Sequence, residues 1–348
     1  MNRDLIKLGL TPHFTQQLSV DEYDSAHLAR IVEVQRSQLC ASDGKTDWIV
    51  SLHGAWHQAT AEQKPTVGDW VLLDESHQTI QRLLERKSLF ERIAPGTRVE
   101  SQLIAANIDT LFIVTSCNEE FSESRLERYL ALALKAGVDP VVVLTKKDLA
   151  DDPEQFRQRA LALKTGLPVE LINATDSASL RSLSAWISEG STVALVGSSG
   201  VGKSSIVNAL AGEQITETAA IRDDDAKGRH TTSHRALYQL PGGGLMLDVP
   251  GMRELKVADI DAALPEVFTD IEALAKQCQF DDCRHEQEPG CAVRKAIDEG
   301  SISDRRLRSY QKLIREQAHH SATLAEKRDQ GRQLSKLIRQ ATNRKRQS

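Results

Sequence analysis

The sequence lacks long apolar runs and contains few aromatic residues. No stretch of its 348 residues reaches the roughly 18 consecutive apolar positions that predict a membrane-spanning helix, and aromatic side chains make up 4% of the chain. The first residues, Met1 to Ile6, also lack the apolar segment of a secretory signal. These absences argue against the transmembrane and secreted classes, so we expect a cytoplasmic protein with no membrane partner.

Cysteine is scarce too, with five residues in the chain. Cys40 and Cys117 stand alone, and an odd count in a reducing compartment argues against a disulfide framework. The other three cysteines and one histidine fall within 14 residues: Cys278, Cys283, His285 and Cys291. Three thiolates and an imidazole suit tetrahedral Zn²⁺, and four protein ligands leave no open position for catalysis. The sequence therefore predicts one structural zinc per chain; the alternative is a chance cluster of reduced, buried cysteines.

The net charge is small and negative, but it is unevenly distributed. The whole chain carries −5, whereas residues 301–348 hold 13 Lys and Arg against 4 Asp and Glu, so a segment of +9 follows a body of −14. A basic segment of this kind favours an anionic partner such as RNA phosphate. Apolar residues recur at helical spacing between 303 and 340, so the alternative is a helix whose basic face is only solvated.

Residues 28–95 contain short strand-like runs separated by Gly, Asp, Ser and Pro, which is typical of a small β-barrel such as an OB-fold. The runs are 29–34, 47–52, 69–73 and 79–84. The preceding residues 1–27 show no sustained periodicity, and we expect them to form an arm. Trp48, Trp56 and Trp70 would either stack on RNA bases or lie in the barrel core. A barrel that only braces its neighbour is the alternative to one that binds RNA.

Between residues 96 and 258 the pattern changes to alternating strands and helices. Apolar strand runs lie at 110–115, 140–144, 168–172 and 192–196, and helical patterns at 124–137, at 153–164 and up to about 188. This repeated order predicts an α/β domain, in which helices cover both faces of a parallel sheet.

A glycine-rich loop follows the run at 192–196 and precedes a helical segment. Its sequence, Gly-Ser-Ser-Gly-Val-Gly-Lys-Ser, is that of a phosphate-binding loop, whose backbone N–H groups converge on phosphate oxygens at a helix N-terminus. The lysine supplies a compensating charge, and the next serine holds Mg²⁺. The predicted nucleotide-binding residues of this loop are Gly197, Ser198, Ser199, Gly200, Val201, Gly202, Lys203, Ser204 and Ser205. The alternative is a glycine-rich turn without a ligand.

A second element is similar to the guanine-recognition sequence Asn-Lys-x-Asp of G proteins. It consists of Thr145, Lys146, Lys147 and Asp148, which follow a strand. In the G-protein element, the Asp carboxylate accepts two donors that guanine has and adenine lacks, and the Lys stem stacks on the ring. Thr145 departs from the pattern, because a hydroxyl cannot offer the two-sided contact of an amide, so we expect lower guanine affinity.

A third element lies beyond the phosphate loop. The strand at 245–248 ends in Asp248, and Gly251 follows three residues later. In G proteins a carboxylate in this position holds Mg²⁺ through water, and the glycine N–H senses the γ-phosphate. Thr231 or Thr232, in the long polar segment before this strand, is placed to close on Mg²⁺ when a triphosphate is bound. Together with the phosphate loop, these residues predict a nucleotide-dependent switch.

The order of the three elements is unusual, because base recognition ends about 50 residues before the phosphate loop, whereas ordinary GTPases place it last. This order indicates a circularly permuted GTPase domain. With the preceding barrel, the segment His230-Thr231-Thr232 and the downstream cysteine cluster, the chain resembles the RsgA (YjeQ) family of ribosome-small-subunit-dependent GTPases. The predicted division is an arm at 1–27, an OB-fold-like barrel at 28–95, a permuted GTPase domain at 96–258, and a mainly helical zinc-binding domain with a basic tail at 259–348.

The resemblance also implies a function. A member of this family would bind GTP or GDP with Mg²⁺, dock on the small ribosomal subunit and its rRNA, hydrolyse GTP there and time its own release during subunit maturation; we expect a monomer. Met252 stands where Ras-like enzymes have a water-orienting glutamine, and the resemblance assigns that role to His230. The alternatives are a non-catalytic RNA-binding module with a nucleotide-dependent switch and a phosphate-loop ATPase or nucleotide kinase, which Asp148 disfavours.

Overall fold

The computed structural model describes residues 3–25, 27–35, 38–52, 54, 56, 59–93, 101–212, 235–248 and 260–318. The chain forms two compact units, and each consists of two segments: Met1–Glu91 with Leu103–Leu255, and Arg92–Gln102 with Lys256–Ser348. Within the described ranges, every helix is too short or too polar to cross a membrane.

Three short helices precede the barrel: α1 (Arg3–Lys7), α2 (Pro12–Thr15) and α3 (Val20–Ser25). The side chains of Leu8, Leu10 and Phe14 are buried in a cluster that includes Trp70 of the barrel. The rings of Phe14 and Trp70 have centroids 5.7 Å apart. Removing these apolar groups from water holds the arm against the barrel.

Five strands build the barrel: β1 (His27–Val34), β2 (Leu39–Ser42), β3 (Asp47–Val50), β4 (Trp70–Leu73) and β5 (Ile80–Leu83). β1 pairs with β2 and β4, β2 with β3, and β4 with β5, all antiparallel. A parallel bridge between Ser51 and Thr79 joins the end of β3 to the start of β5. The circular order β1-β2-β3-β5-β4 encloses a core around Ile31, Val50 and Val71 and agrees with the predicted OB-fold.

The structure adds one strand to the predicted barrel and distinguishes between the two alternatives for its tryptophans. β2 is not predicted, because its four residues bury both faces and show no alternation. Trp70 is 0% exposed and therefore cannot stack on RNA. Trp56 packs against the barrel core and donates its indole N–H to the Ile80 carbonyl at 3.0 Å. Trp48 is half-buried and stacks on His77, with centroids 4.6 Å apart.

A two-stranded ribbon, β6 (Leu89–Ile93) and β7 (Ser101–Ala106), follows the barrel in the chain. The predicted α/β sheet then contains β8 (Thr110–Ser116), β9 (Asp139–Thr145), β10 (Val169–Leu171), β11 (Thr192–Val196), β12 (Arg235–Gln239) and β13 (Leu245–Asp248). Its helices are α4 (Glu123–Ala136), α5 (Pro153–Leu161), α6 (Ser177–Ser184) and α7 (Lys203–Ala211).

The strands of this sheet lie in the order β10-β9-β8-β11-β13-β12, and all neighbours are parallel except β13 and β12. β11, which leads into the glycine-rich loop, is central in the sheet but follows β8, β9 and β10 in the chain. This arrangement is the predicted circular permutation: the base-recognition strand precedes the phosphate-loop strand in sequence, while the two lie one strand apart in space.

The barrel and the α/β sheet are joined directly. β1 pairs with β12, so that the two sheets are continuous. Arg30 of β1 is fully buried and donates to the carbonyls of Leu8, Gly68 and Asn107, which lie in the arm, in the barrel and next to the sheet. Burial lowers the pKa of Arg30 to about 10, so its guanidinium remains charged at neutral pH. One side chain thus ties three segments of the first unit together.

The second unit is mainly helical in its described part: α8 (Leu264–Val267), α9 (Thr269–Ala275), α10 (Ala292–Asp298) and α11, residues 304–318. α8 and α9 are separated at Phe268, whose φ of −111° and ψ of 43° are not helical. Arg306 of α11 bonds to Asp270 at 2.6 Å and lies 4.7 Å from the centroid of the Phe268 ring. Leu307 and Leu313 are buried, so α11 belongs to a core. The basic tail beyond residue 318 lies outside the described residues.

Candidate nucleotide and metal sites

The glycine-rich loop runs from the end of β11 to the start of α7, and its glycines are required by its geometry. Gly200 and Gly202 have φ of 75° and 97°, in the left-handed region that L side chains rarely adopt. Gly197 lies against β8, where an added Cβ would stand 2.1 Å from the Val114 carbonyl oxygen. The loop therefore curls tightly against the neighbouring strand before the helix begins.

Lys203 is the first residue of α7, and its side chain folds back across the loop. Its ammonium donates to the Gly197 carbonyl at 2.8 Å and also bonds to the carbonyl of Ser198. The positive charge is thus held inside the curl, where an anion bound by the loop would lie. Ser204 and Ser205 follow in the first turn of the same helix.

The base-recognition element follows β9 and touches the phosphate loop. Thr145 is fully buried, and its hydroxyl donates to the Val201 carbonyl at 2.6 Å. Lys146 takes a left-handed φ of 57°, and Lys147 begins a short 3₁₀ turn. The structure thus brings the two predicted nucleotide elements together, although 56 residues separate the bonded pair.

Asp148 and its surroundings are open to solvent. The Asp148 side chain is exposed, and the neighbouring Leu149 is 76% exposed. The ammonium of Lys147 donates to the Leu171 carbonyl at 3.4 Å, and this bond holds the turn against β10. In the loop after β10, the side-chain oxygen of Asn173 accepts hydrogen bonds from the backbone N–H and the hydroxyl of Thr175. The carboxylate that the sequence predicts to bind guanine is therefore accessible beside an ordered loop.

Arg125 of α4 also contacts the phosphate loop and is not among the residues predicted from the sequence. One guanidinium nitrogen, Nη1, bonds to the Ser198 hydroxyl and pairs with Glu120 at 3.1 Å. A signal was present in the sequence, because cations are unfavourable in the first turn of a helix and Arg125 is the third residue of α4. That signal does not identify the partner, which lies 73 residues away.

The predicted switch residues are only partly described. Asp248 ends β13, and this strand pairs with the phosphate-loop strand β11. The side chain of Asp248 lies outside the part of the chain that the structure describes, as do four whole residues: His230, Thr231, Thr232 and Gly251.

The second unit contains the predicted cysteine and histidine cluster. The donor atoms of Cys278, Cys283, His285 and Cys291 all lie within 4.8 Å of one another. His285 Nδ1 stands 3.6, 3.5 and 3.5 Å from the three sulfurs, and Cys278 Sγ lies 3.9 Å from Cys291 Sγ. A tetrahedral zinc with bonds of about 2.3 Å to sulfur and about 2.0 Å to nitrogen has edges of roughly 3.5–3.8 Å. The donor set therefore fits a metal ion of that size.

The residues around this cluster orient its ligands. Arg294 donates its Nε–H to the His285 carbonyl at 2.8 Å, and Cys291 Sγ accepts the Arg294 backbone N–H at 3.4 Å. The Glu288 carboxylate accepts backbone N–H groups across residues 284–287, and these bonds lower its pKa to about 2. Burial lowers the pKa of His285, which favours the neutral imidazole that binds a metal.

Comparison with known proteins agrees with this architecture. The family described as "RsgA GTPase" matches residues 83–258. A protein of Vibrio parahaemolyticus named "Small ribosomal subunit biogenesis GTPase RsgA 2" is 49% identical over 342 residues, 98% of this chain and 94% of that protein. The crystal structure of YjeQ from Thermotoga maritima gives a TM-score of 0.61 at 25% identity, over 84% of this chain and 99% of that one.

A further solved structure, YloQ, is described as a circularly permuted GTPase. It has a TM-score of 0.59 at 24% identity and covers 87% of this chain and 98% of its own. The strand order, the loop that leaves β11 and the matches over nearly the whole chain are in agreement, and from them it follows that this protein belongs to the RsgA GTPase family.

Proposed function

We propose that this GTPase assists the biogenesis of the small ribosomal subunit. It binds the subunit and its rRNA, hydrolyses GTP there and is released after the hydrolysis. The 49% identical relative is named for this process. The observation that supports the nucleotide site most strongly is the bond from the buried Thr145 hydroxyl to the Val201 carbonyl. This bond joins the predicted base-recognition turn directly to the phosphate loop.

The positions of the described residues support the roles that we propose for them. Lys203 neutralises the phosphates, because its ammonium is held against the loop carbonyls. The backbone N–H groups of the loop bind phosphate oxygens at the start of α7, and the exposed Asp148 carboxylate accepts the donors of guanine. Mg²⁺, held by Ser204 and Asp248, would offset the phosphate charge.

For hydrolysis itself we propose His230 as the residue that positions water, with Thr231 or Thr232 closing over the terminal phosphate. A long polar segment loses backbone entropy when it is held in one conformation. A subunit surface that binds the ordered form better would offset that cost and speed turnover. We therefore propose that the small subunit is the activator.

In the second unit we propose that Cys278, Cys283, His285 and Cys291 hold one structural Zn²⁺, because their donor atoms all lie within 4.8 Å of one another and three thiolates with one imidazole suit tetrahedral zinc. We also keep the proposed division into an arm at 1–27, a barrel at 28–95, a GTPase domain at 96–258 and a zinc-binding domain at 259–348, acting as a monomer.

Steady-state GTP hydrolysis with and without purified small subunits tests the proposal. The rate without subunits should be roughly 10⁻⁴ to 10⁻² per second, as for GTPases without an ordered water-positioning group. The rate should rise and saturate with subunit concentration. Lys203→Ala should lose nucleotide binding, whereas His230→Ala should bind GTP and lose turnover.

Three outcomes would contradict the proposal. If bound subunits leave the rate unchanged, the subunit is not the activator, and a non-catalytic RNA-binding switch becomes the better account. If Lys203→Ala binds GTP as the wild type does, the phosphate loop is assigned wrongly. If His230→Ala turns over at the wild-type rate, another group positions the water.

A further inference from the structure

Two cationic side chains meet at one residue of the phosphate loop. The Lys203 ammonium bonds to the backbone carbonyl of Ser198, and the Arg125 guanidinium bonds to the hydroxyl of the same residue. The cations approach from different elements: Lys203 from α7 and Arg125 from α4. The known pattern of the loop accounts for Lys203 and leaves Arg125 without a role.

The bonding of Arg125 leaves much of its guanidinium available. Its contacts to Ser198 and to the carboxylate and carbonyl of Glu120 all use Nη1. Within the described ranges, Nε and Nη2 make no hydrogen bond. The Arg125 side chain is 42% exposed and that of Glu120 is 50% exposed. Such an exposed ion pair contributes little to stability, so replacing the Glu120 carboxylate by a stronger anion costs little.

The chemistry of a guanidinium at this place indicates its partner. The N–H groups of the curl converge on phosphate oxygens, and Ser198 is the first residue of the curl after Gly197. Arginine binds phosphate through a planar fork of donors, and such charge-assisted bonds are stronger than those between neutral groups. The Arg125 guanidinium already bonds to Ser198, and its other N–H donors make no hydrogen bond within the described ranges. Only Ser198 separates the guanidinium from an anion bound in the loop.

We propose that Arg125 is a second cation of the phosphate site, which exchanges Glu120 for the terminal phosphate of bound GTP and so makes the site prefer triphosphate to diphosphate. The proposal rests on the proposed function of the phosphate loop. Because GDP lacks the terminal phosphate, the contact strengthens the binding of GTP alone. Arg125 thereby sets the ratio of the GTP and GDP affinities.

The test is a titration of the full-length protein with a fluorescent, slowly hydrolysed GTP analogue and with fluorescent GDP, both with Mg²⁺. Arg125→Gln should weaken the GTP analogue roughly tenfold, as expected for the loss of one charge-assisted bond, and leave GDP unchanged. Arg125→Lys should restore part of the preference, because it keeps the charge and loses the fork. If Arg125 only braced the loop, both nucleotides would weaken equally, and that result would overturn the proposal.

Glu120 provides an independent check of opposite sign. Glu120→Gln releases the guanidinium, so the GTP analogue should bind a few-fold more tightly. In the Arg125→Gln background the same change should have no effect, because the competition that it relieves no longer exists. If Glu120→Gln strengthens binding equally in both backgrounds, the effect is general electrostatics and not exchange of Arg125.

A matched control is present on α5. Arg157 pairs with Glu154 at 3.3 Å, and the exposed fractions, 43% and 51%, nearly equal those of the Arg125 pair. Arg157→Gln should leave both affinities unchanged, and a shift in its GTP-to-GDP ratio equal to that of Arg125→Gln would overturn the proposal.

Lys203→Ala distinguishes a failure of the Arg125 proposal from a failure of the proposed phosphate loop. If it loses both nucleotides while Arg125→Gln keeps the wild-type ratio, this inference fails alone; if it binds both normally, the proposed phosphate loop fails with it.

Discussion

Thr145 occupies the position where the guanine-recognition sequence has asparagine, yet its hydroxyl is directed at the phosphate loop. A hydroxyl has one hydrogen to donate, and here it goes to the Val201 carbonyl at 2.6 Å. From the sequence alone, this residue is predicted only to lower guanine affinity. In the structure, its first effect is to hold two loops of the nucleotide site in register.

Replacing Thr145 with Val tests this role, because the change keeps the branched shape and removes the hydroxyl. The Val201 carbonyl then loses a buried partner, which should lower the free energy of unfolding by about 1–3 kcal/mol. GTP and GDP affinity should fall together, since both nucleotides need the loop. Urea unfolding and nucleotide titration measure the two effects. Thr46→Val, in an exposed turn of the barrel, is the control; equal stability of the two variants would contradict the role.

Asp148 is a second residue whose chemistry predicts a specific result. Asp148→Asn replaces an acceptor with a group that also donates, so the site should lose GTP affinity and gain affinity for a xanthine nucleotide, which has an acceptor at that edge. Competition binding with GTP, XTP and ATP checks the change. The nearby exposed Asp151→Asn is the control. Equal binding of ATP and GTP by the wild-type protein would show that the turn does not select guanine.

At the scale of elements, the junction of β11 with the phosphate loop depends on close approach to β8. A Cβ at Gly197 would stand 2.1 Å from the Val114 carbonyl oxygen, whereas one at Gly200 meets no atom within 4 Å. Gly197→Ala should therefore displace the backbone, lower the melting temperature and abolish nucleotide binding. Gly200→Ala carries only the strain of its left-handed φ and should cost about 1–2 kcal/mol. Thermal melts test whether Gly197→Ala lowers the melting temperature more than Gly200→Ala does. Equal decreases in melting temperature would contradict the steric argument.

The zinc proposed for the cysteine cluster predicts that the fold of this element depends on its metal. Thiolate-bound zinc supplies on the order of 10 kcal/mol of local folding free energy. Cys283→Ser should reduce the measured zinc from one per chain and expose residues near 265–300 to hydrogen exchange. It should leave GTP binding intact, because the nucleotide residues lie in the other unit. Cys40→Ser, outside the cluster, is the control. Metal analysis that finds no zinc in wild type prepared without chelators would refute the assignment.

At the scale of the whole molecule, the uneven charge leads to a prediction about the proposed contact between the basic tail and rRNA. The structure decides where a truncation can be made: α11 buries Leu307 and Leu313, so cutting near residue 301 would remove core side chains. Ending the chain after residue 318 avoids this. The deleted residues 319–348 carry 8 Lys and Arg against 2 Asp and Glu.

Without these 30 residues, binding to small subunits should weaken and its dependence on salt should become less steep, because fewer phosphate contacts release counterions. GTP hydrolysis in the absence of subunits should not change. Sedimentation with small subunits over a series of salt concentrations measures the slope. Full-length protein with Arg157→Gln controls for the loss of one exposed charge elsewhere. An unchanged slope would show that the tail makes no phosphate contact.

The sequence by itself determined the parts of this protein whose signals are local. The glycine-rich loop, the cluster of three cysteines and one histidine, and most strands are recognised from neighbouring residues, because backbone curl, residue spacing and the burial of short apolar runs are set over a few positions. The order of the motifs also predicted the permuted sheet, which the strand order confirms. β2 escaped detection because its four residues are buried on both faces and carry no alternation.

Only the tertiary structure decided which distant groups meet. The Thr145 hydroxyl reaches a carbonyl 56 residues away, and the Arg125 guanidinium reaches a hydroxyl 73 residues away. Arg30 binds carbonyls of three separate segments, and none of these contacts has a repeating pattern in the sequence. A single hydrogen bond depends on positions accurate to a few tenths of an ångström, which the packing of whole strands and helices provides and local periodicity does not.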